Sequence, residues 1–227
     1  MLAVLKKEFK SYFSSPIGYI FIGIFLAMCS VFFYLDVVAY GNTNFEYMFY
    51  SVTTILTFIV PVLTMRMFAE ERKSGTEQIL FTSPRSITAI VFGKFFAATL
   101  VLLVAELFTF IYFAILMYFG EPHIQTALAT LGGFLLLSMA YISFGMFASS
   151  ITENQIVAGI LTAGVFVFLW FMPNFNSDLF GFSPINVFAS EFPSGLISPE
   201  AVTLLVSFSI LFIILTILVL QRRKSVK

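Results

Sequence analysis

The sequence predicts an all-α, polytopic membrane protein with six transmembrane helices, and three observations predict it. Of the 227 residues, 59% are hydrophobic and only 11% are charged, against roughly 25% charged in a soluble domain. The apolar residues fall in runs long enough to cross a bilayer, about 20 residues as a helix. Lipid cannot satisfy a bare backbone, so such runs are read as helices. The third observation is where the charges sit. Twelve basic residues face twelve acidic ones for a net charge of zero, yet the basic ones all fall on one side of the six-span topology. The balance excludes a basic field for nucleic acid, and a single Cys excludes a disulfide framework. The 31 Phe exclude disorder.

The N-terminal stretch 1–14 carries Leu2, Leu5, Phe9 and Tyr12/Phe13 at helical spacing, with Lys6, Lys7 and Lys10 between them. It reads as a basic amphipathic helix in the membrane interface, or as a basic flank that orients the first span. Ser14-Ser15-Pro16 breaks it. The first span runs over about 17–39. Leu26-Ala27-Met28-Cys29 within it loosely resembles a lipoprotein cleavage site, but Met stands where a small residue is wanted and the apolar run exceeds a signal h-region. It is read as a retained helix.

Further spans are predicted over about 47–65, 87–120, 124–149, 156–172 and 201–220. Six spans put both termini on one side. That side holds every Lys and Arg: Lys6, Lys7, Lys10, Arg66, Arg72, Lys73, Arg85, Lys94, Arg222, Arg223, Lys224 and Lys227. The other side holds Glu46, Glu121, Asp178, Glu191 and Glu200 and no base. The positive-inside rule makes the basic side cytoplasmic. The external stretch 173–200 is rich in Phe and broken by Pro184, Pro193 and Pro199. It suits short re-entrant helices in the outer leaflet, or a loop packed on the helix ends.

Enzyme motifs are missing. There is no HExxH and no GxSxG, and Gly93-Lys94 is followed by Phe95 without the glycine of a Walker A motif. The chain has no ATP-hydrolysing motif of its own. The informative cytoplasmic stretch is Phe68 to Pro84. Ser74-Gly75 interrupts one helix, Thr76 caps the next, Glu77 suits its dipole, and Ile79-Leu80-Phe81 makes it greasy before Pro84 ends it. It is either a knob for a cytoplasmic groove or a solvated connector. Glu106 lies mid-span in the third helix. It lines a path, pairs across helices, or sits protonated against Thr109 or Ser138; the absence of a base at its depth favours the last.

The order Glu71-Arg72, Gly75-Thr76, Leu80, Ser83-Pro84, then Gly93-Lys94-Phe95, resembles the permease subunits of ABC-2 type transporters. Lys7-Glu8 with Ser15-Pro16-Ile17-Gly18-Tyr19 at the start, and Phe192-x-x-Gly195-Leu196-Ile197 before the last span, extend the resemblance along the chain. It lies closest to the gliding-motility and nitrous-oxide-reductase-maturation branch. The resemblance implies one ABC-2 transmembrane domain over 1–227, with an elbow helix at 1–14 and a coupling helix in 68–84 that touches a separate ABC ATP-binding subunit. The coupling residues would be Glu70, Glu71, Arg72, Gly75, Thr76, Glu77, Leu80 and Pro84. The turn Ser149 to Gln155 would be a second contact. It also implies a dimer with a second copy or a homologous permease, lipid around it, no cofactor of its own (ATP being held by the partner) and a bacterial plasma-membrane location. The implied function is a non-catalytic permease subunit, an exporter. A transmitter of force to envelope partners, or an ion-coupled carrier using Glu106, are the alternatives.

Overall fold

The computed structural model describes residues 1–41, 45–78, 85–120, 122–172 and 182–226. Among the described residues there are helices and no strand. In chain order they are α1 (Leu2–Ser14), α2 (Pro16–Phe33) continued by a π-helical turn (Tyr34–Ala39), α3 (Phe45–Thr64) and α4 (Ala69–Lys73). Then come α5 (Ile87–Phe108), α6 (Phe110–Phe119), α7 (Ile124–Ile151) and α8 (Gln155–Phe171). α9 (Pro184–Glu191), a 3₁₀ turn (Phe192–Ser194) and α10 (Pro199–Val226) close the order.

Among the described residues, five helical stretches are long and apolar enough to cross a membrane: Pro16–Ala39, Met48–Lys73, Ile87–Tyr118, Ile124–Ile151 and Pro199–Ser225. α8 stands where the fifth span is expected, but it has only 17 residues. At 1.5 Å per residue that is about 25 Å, near the lower limit for crossing.

The expected break between the first two helices falls at Ser15, whose backbone is extended. Pro16 then opens α2 at a position where its missing N–H costs nothing. The apolar side of α1 is spent mainly on protein: Val4 and Leu5 lie against Gly93 of α5, and Phe9, Tyr12 and Phe13 pack on the core. α2 buries Gly18, Phe21, Phe25 and Cys29, one stripe at helical spacing, and leaves Tyr19, Ile20 and Ile24 exposed. That is the pattern of a helix with one face to the bundle and one to lipid.

The third expected span is not one continuous helix. At Thr109 both the backbone N–H and the side-chain hydroxyl donate to the Glu106 carbonyl, at 2.9 and 2.6 Å. The tighter turn and the competing hydroxyl divide the helix into α5 and α6.

α7 is the central helix and packs against α3, α5, α8 and α10. Away from the termini the core is aromatic. Phe134 meets Phe25, Phe49 and Phe188, with ring centroids 5.0–6.2 Å apart. Tyr141 stacks on Phe166 at 3.8 Å. Of the expected external helices, α9 buries Ile185, Val187 and Phe188 against the bundle. Thr130 donates to the Phe192 carbonyl at 3.2 Å. Ser198 donates to the Glu191 carboxylate and accepts from the Ala201 N–H, which starts α10. Residues 173–181 lie outside the described residues.

Candidate functional site

α4 is five residues long, too short to hold itself. Its own N-cap residue, Phe68, offers no capping side chain. The cap comes from α7. Ser149 Oγ accepts from the backbone N–H groups of Phe68 and Ala69, both at 3.1 Å, and donates to the Met65 carbonyl at 2.9 Å. One buried hydroxyl thus satisfies the turn after α3 and the start of α4 together. Glu70 and Glu71 then lie in the first turn and Arg72 and Lys73 in the last, the order that suits the helix dipole. The helix stops where Ser74 returns a hydrogen bond to the Glu70 carbonyl at 2.8 Å and Gly75 adopts φ +73. A side chain at that φ would be strained.

Charges fasten α4 on several sides. Arg66 grips Glu70 with two hydrogen bonds of 2.7 and 2.8 Å. Arg72 pairs with Glu153 at 2.5 Å and donates to the Ile151 carbonyl at 3.0 Å. Arg223 of α10 donates to the same carbonyl at 3.2 Å and meets Glu77 at 3.3 Å. Lys94 of α5 meets Glu71 at 2.9 Å and Glu8 of α1 at 3.2 Å. Tyr12 reaches the Leu63 carbonyl at 3.4 Å, and burial raises its hydroxyl above the ordinary tyrosine range. These contacts bring α1, α4, the start of α5, the α7–α8 turn and the end of α10 to one end of the bundle, here called the basic end.

Two cavities open there. One of about 590 Å³ is bounded by Arg72, Gly75, Glu77, Glu153, Arg222 and Arg223. The other, about 330 Å³, lies under α1 between Glu8, Tyr12, Arg66, Glu71 and Lys94.

The expected coupling residues land differently from a simple outward-facing knob. Glu70 is half exposed and paired to Arg66. Glu71 turns inward, and its Oε2 is buried without a hydrogen-bond partner. Arg72 points to the α7–α8 turn, and Glu77 is buried against Arg223. Thr76 is exposed, and its hydroxyl bonds back to the Glu71 carbonyl at 3.3 Å. Leu80 and Pro84 lie outside the described residues. Lys73, Ser74, Gly75, Thr76 and Gln78 form the exposed surface of the segment.

Ser149, Glu8, Lys94 and Arg223 are partners of this segment that its own sequence pattern does not name. Lys94 carried a usable signal. A cation inside the apolar run Ile87 to Phe108 has to find an anion. Ser149, 80 residues from the Ala69 N–H that it caps, carried none.

Glu106 is buried, as expected, but the hydrogen bonds expected for its carboxyl are not formed. Thr109 bonds the Glu106 backbone carbonyl. Glu106 Oε2 and Ser138 Oγ are both buried without a hydrogen-bond partner. The tight turn at Thr109 consumes the hydroxyl locally, since a main-chain acceptor three residues back is closer than any side chain.

A family model described as ABC-2 family transporter protein matches residues 35–221, from the π-helical turn to the last turns of α10. No curated protein matches the chain.

Proposed function

The chain belongs to the ABC-2 family of transporter proteins, and on that footing we propose that it is the exporting permease subunit of an ABC transporter, driven by a separate ATP-binding subunit docked on the basic end. With α8 as the fifth of six spans, that end and both termini face the cytoplasm of a bacterial cell, and the chain lies in its plasma membrane. The gathering of Lys and Arg at that end supports this orientation. A second copy or a homologous permease completes the transport unit. ATP is held by the partner.

The observation that carries the reading is the fastening of α4. Ser149 fixes its start to α7, Arg72 fixes its last turn to Glu153 and Ile151, and Arg223 ties Glu77 to α10. A short charged segment clamped to two long helices passes a push at its exposed surface into the bundle with little local bending. Lys73, Ser74, Gly75, Thr76 and Gln78 offer that surface, and Leu80 and Pro84 belong to the same proposed contact. ATP binding then has to favour one bundle arrangement over another by a few kcal/mol, the differential that any population shift requires. The path opens between the two permeases.

Purifying the tagged chain from its native membranes tests this. The expected result is a co-purifying ATP-binding subunit whose ATP hydrolysis falls in a Glu71→Ala/Arg72→Ala double variant that still inserts in the membrane. Unchanged hydrolysis in that variant, or a chain purified with no ATP-binding subunit, would overturn the proposal.

A further inference from the structure

Lys94 occupies an unusual position. Its side chain is 4% exposed, seven residues into the apolar helix α5, and one ammonium serves two carboxylates from two other segments: Glu71 of α4 at 2.9 Å and Glu8 of α1 at 3.2 Å. The same nitrogen lies 5.3 Å from the centroid of the Phe68 ring, at the residue where Ser149 starts α4. Glu71 is not free to leave cheaply: it would strand a buried charge, and its Oε2 has no hydrogen-bond partner, whereas Glu8 also meets Lys7 at 3.8 Å.

The neighbouring residue explains how α1 comes within reach. A Cβ on Gly93 would stand 2.8 Å from a Val4 methyl, so only glycine lets α1 lie this close to α5. The two cooperate in sequence and in space. Gly93 lets α1 down onto α5, and Lys94 then ties α1 to α4.

We propose that Lys94 is the positioning residue that makes α1 and the coupling segment a single moving part. On the reading of α4 as the segment the ATP-binding subunit pushes, a displacement of α4 drags Glu71, hence Lys94, hence Glu8. α1 then shifts with α4. Without Lys94, α4 moves without α1, and Glu71, left with no cation, repels Glu8, which keeps Lys7 at 3.8 Å.

The test uses the full chain with its co-purified ATP-binding subunit in lipid nanodiscs, in a Cys29→Ala background. Cys29 is fully buried, so labelling goes to introduced sites. Spin labels are placed singly and together at Lys6→Cys on α1 and Lys73→Cys on α4, both exposed. Addition of ATP with vanadate is the stimulus. In the otherwise wild-type chain the signals at both positions shift. In Lys94→Met the shift at position 6 is lost while that at 73 remains. Lys94→Arg restores both.

A Lys94→Met/Glu8→Gln/Glu71→Gln variant also loses the shift at position 6. This separates loss of the tie from repulsion between Glu71 and Glu8. A label pair at Tyr50→Cys and Leu128→Cys keeps its distance in every variant if the bundle stays folded. A shift at 73 with none at 6 in the wild-type background would overturn the inference and leave the proposed function standing.

If ATP shifts neither label, the proposed drive fails. The inference is then decided by the 6-to-73 distance distribution without nucleotide, which broadens in Lys94→Met if Lys94 is the tie. An unchanged narrow distribution would overturn it.

Discussion

At the basic end, α1, α4, α5, α7 and α10 meet through shared charges and hydrogen bonds. At the other end, α2, α3, α6, α7 and α9 meet through rings: Phe45 on Phe49 and Phe113, Phe49 on Phe134, and Phe134 on Phe25 and Phe188. The rings are buried and several of the ion pairs are half-exposed, and the two ends resist displacement differently. A charge-assisted hydrogen bond weakens steeply when its donor turns or withdraws, and Arg72, Arg223 and Ser149 each make more than one contact of this directional kind. Edge and tilted ring contacts hold over a range of centroid distances and angles. Directional contacts therefore hold the segments of the basic end in one mutual orientation, while ring contacts at the other end tolerate a wider range of helix positions.

The largest expected effect breaks the ring-packed end. Phe134→Ala removes the contact shared by Phe25, Phe49 and Phe188 and should cost about 3–5 kcal/mol, the range for a buried Phe truncation. Denaturant unfolding in detergent measures it, and the loss should be the same at low and high salt. A salt-dependent loss would mean that the two ends are not held by different forces.

Next comes the cap. Ser149→Ala leaves two buried N–H groups without their acceptor and should cost about 1–3 kcal/mol. The damage should be local. Trypsin should cut α4 at Arg72 and Lys73 faster, with the Tyr50 to Leu128 distance unchanged. Arg223→Ala is smaller, about 1 kcal/mol or less, because the Arg223 guanidinium is partly open to solvent and its bond to the Ile151 carbonyl is exposed. Adding salt should narrow the gap from wild type, as screening predicts.

Smallest is Glu106→Gln, expected to stay within about 0.5 kcal/mol with ATP hydrolysis of the complex unchanged. The amide fits the same space, and no cation among the described residues sits at the carboxyl whose attraction would be lost. A large fall in activity would put Glu106 on the transport path and make the centre of the bundle a third functional region.

Much of this architecture could be read from hydropathy, because a bilayer imposes the length and apolar content of its helices. The basic end was legible for a similar reason, since Lys and Arg resist translocation. The positions of α1 and α4 followed from Pro16 and from Ser74-Gly75. What stayed hidden depends on tertiary approach. Glu70 and Glu71 look equivalent in the sequence, but one is half exposed beside Arg66 and the other faces the buried Lys94. Thr109 looks like any tolerated hydroxyl in an apolar run, and its bond to the Glu106 carbonyl divides the helix. The cap on α4 belongs to α7, so no local pattern around residue 68 contains it.

The Ile151 carbonyl, shared by Arg72 and Arg223, also has a consequence for biogenesis. Its two donors lie 79 residues before it and 72 residues after it in the chain. Chains grow from the N-terminus at about 5–20 residues per second. Arg72 therefore waits about 8–30 s, through the synthesis of α10, before its companion donor exists. The double fastening at Ile151 is complete only once the last helix has been made, and a chain stalled after α8 holds α4 through Arg72 and Ser149 without Arg223.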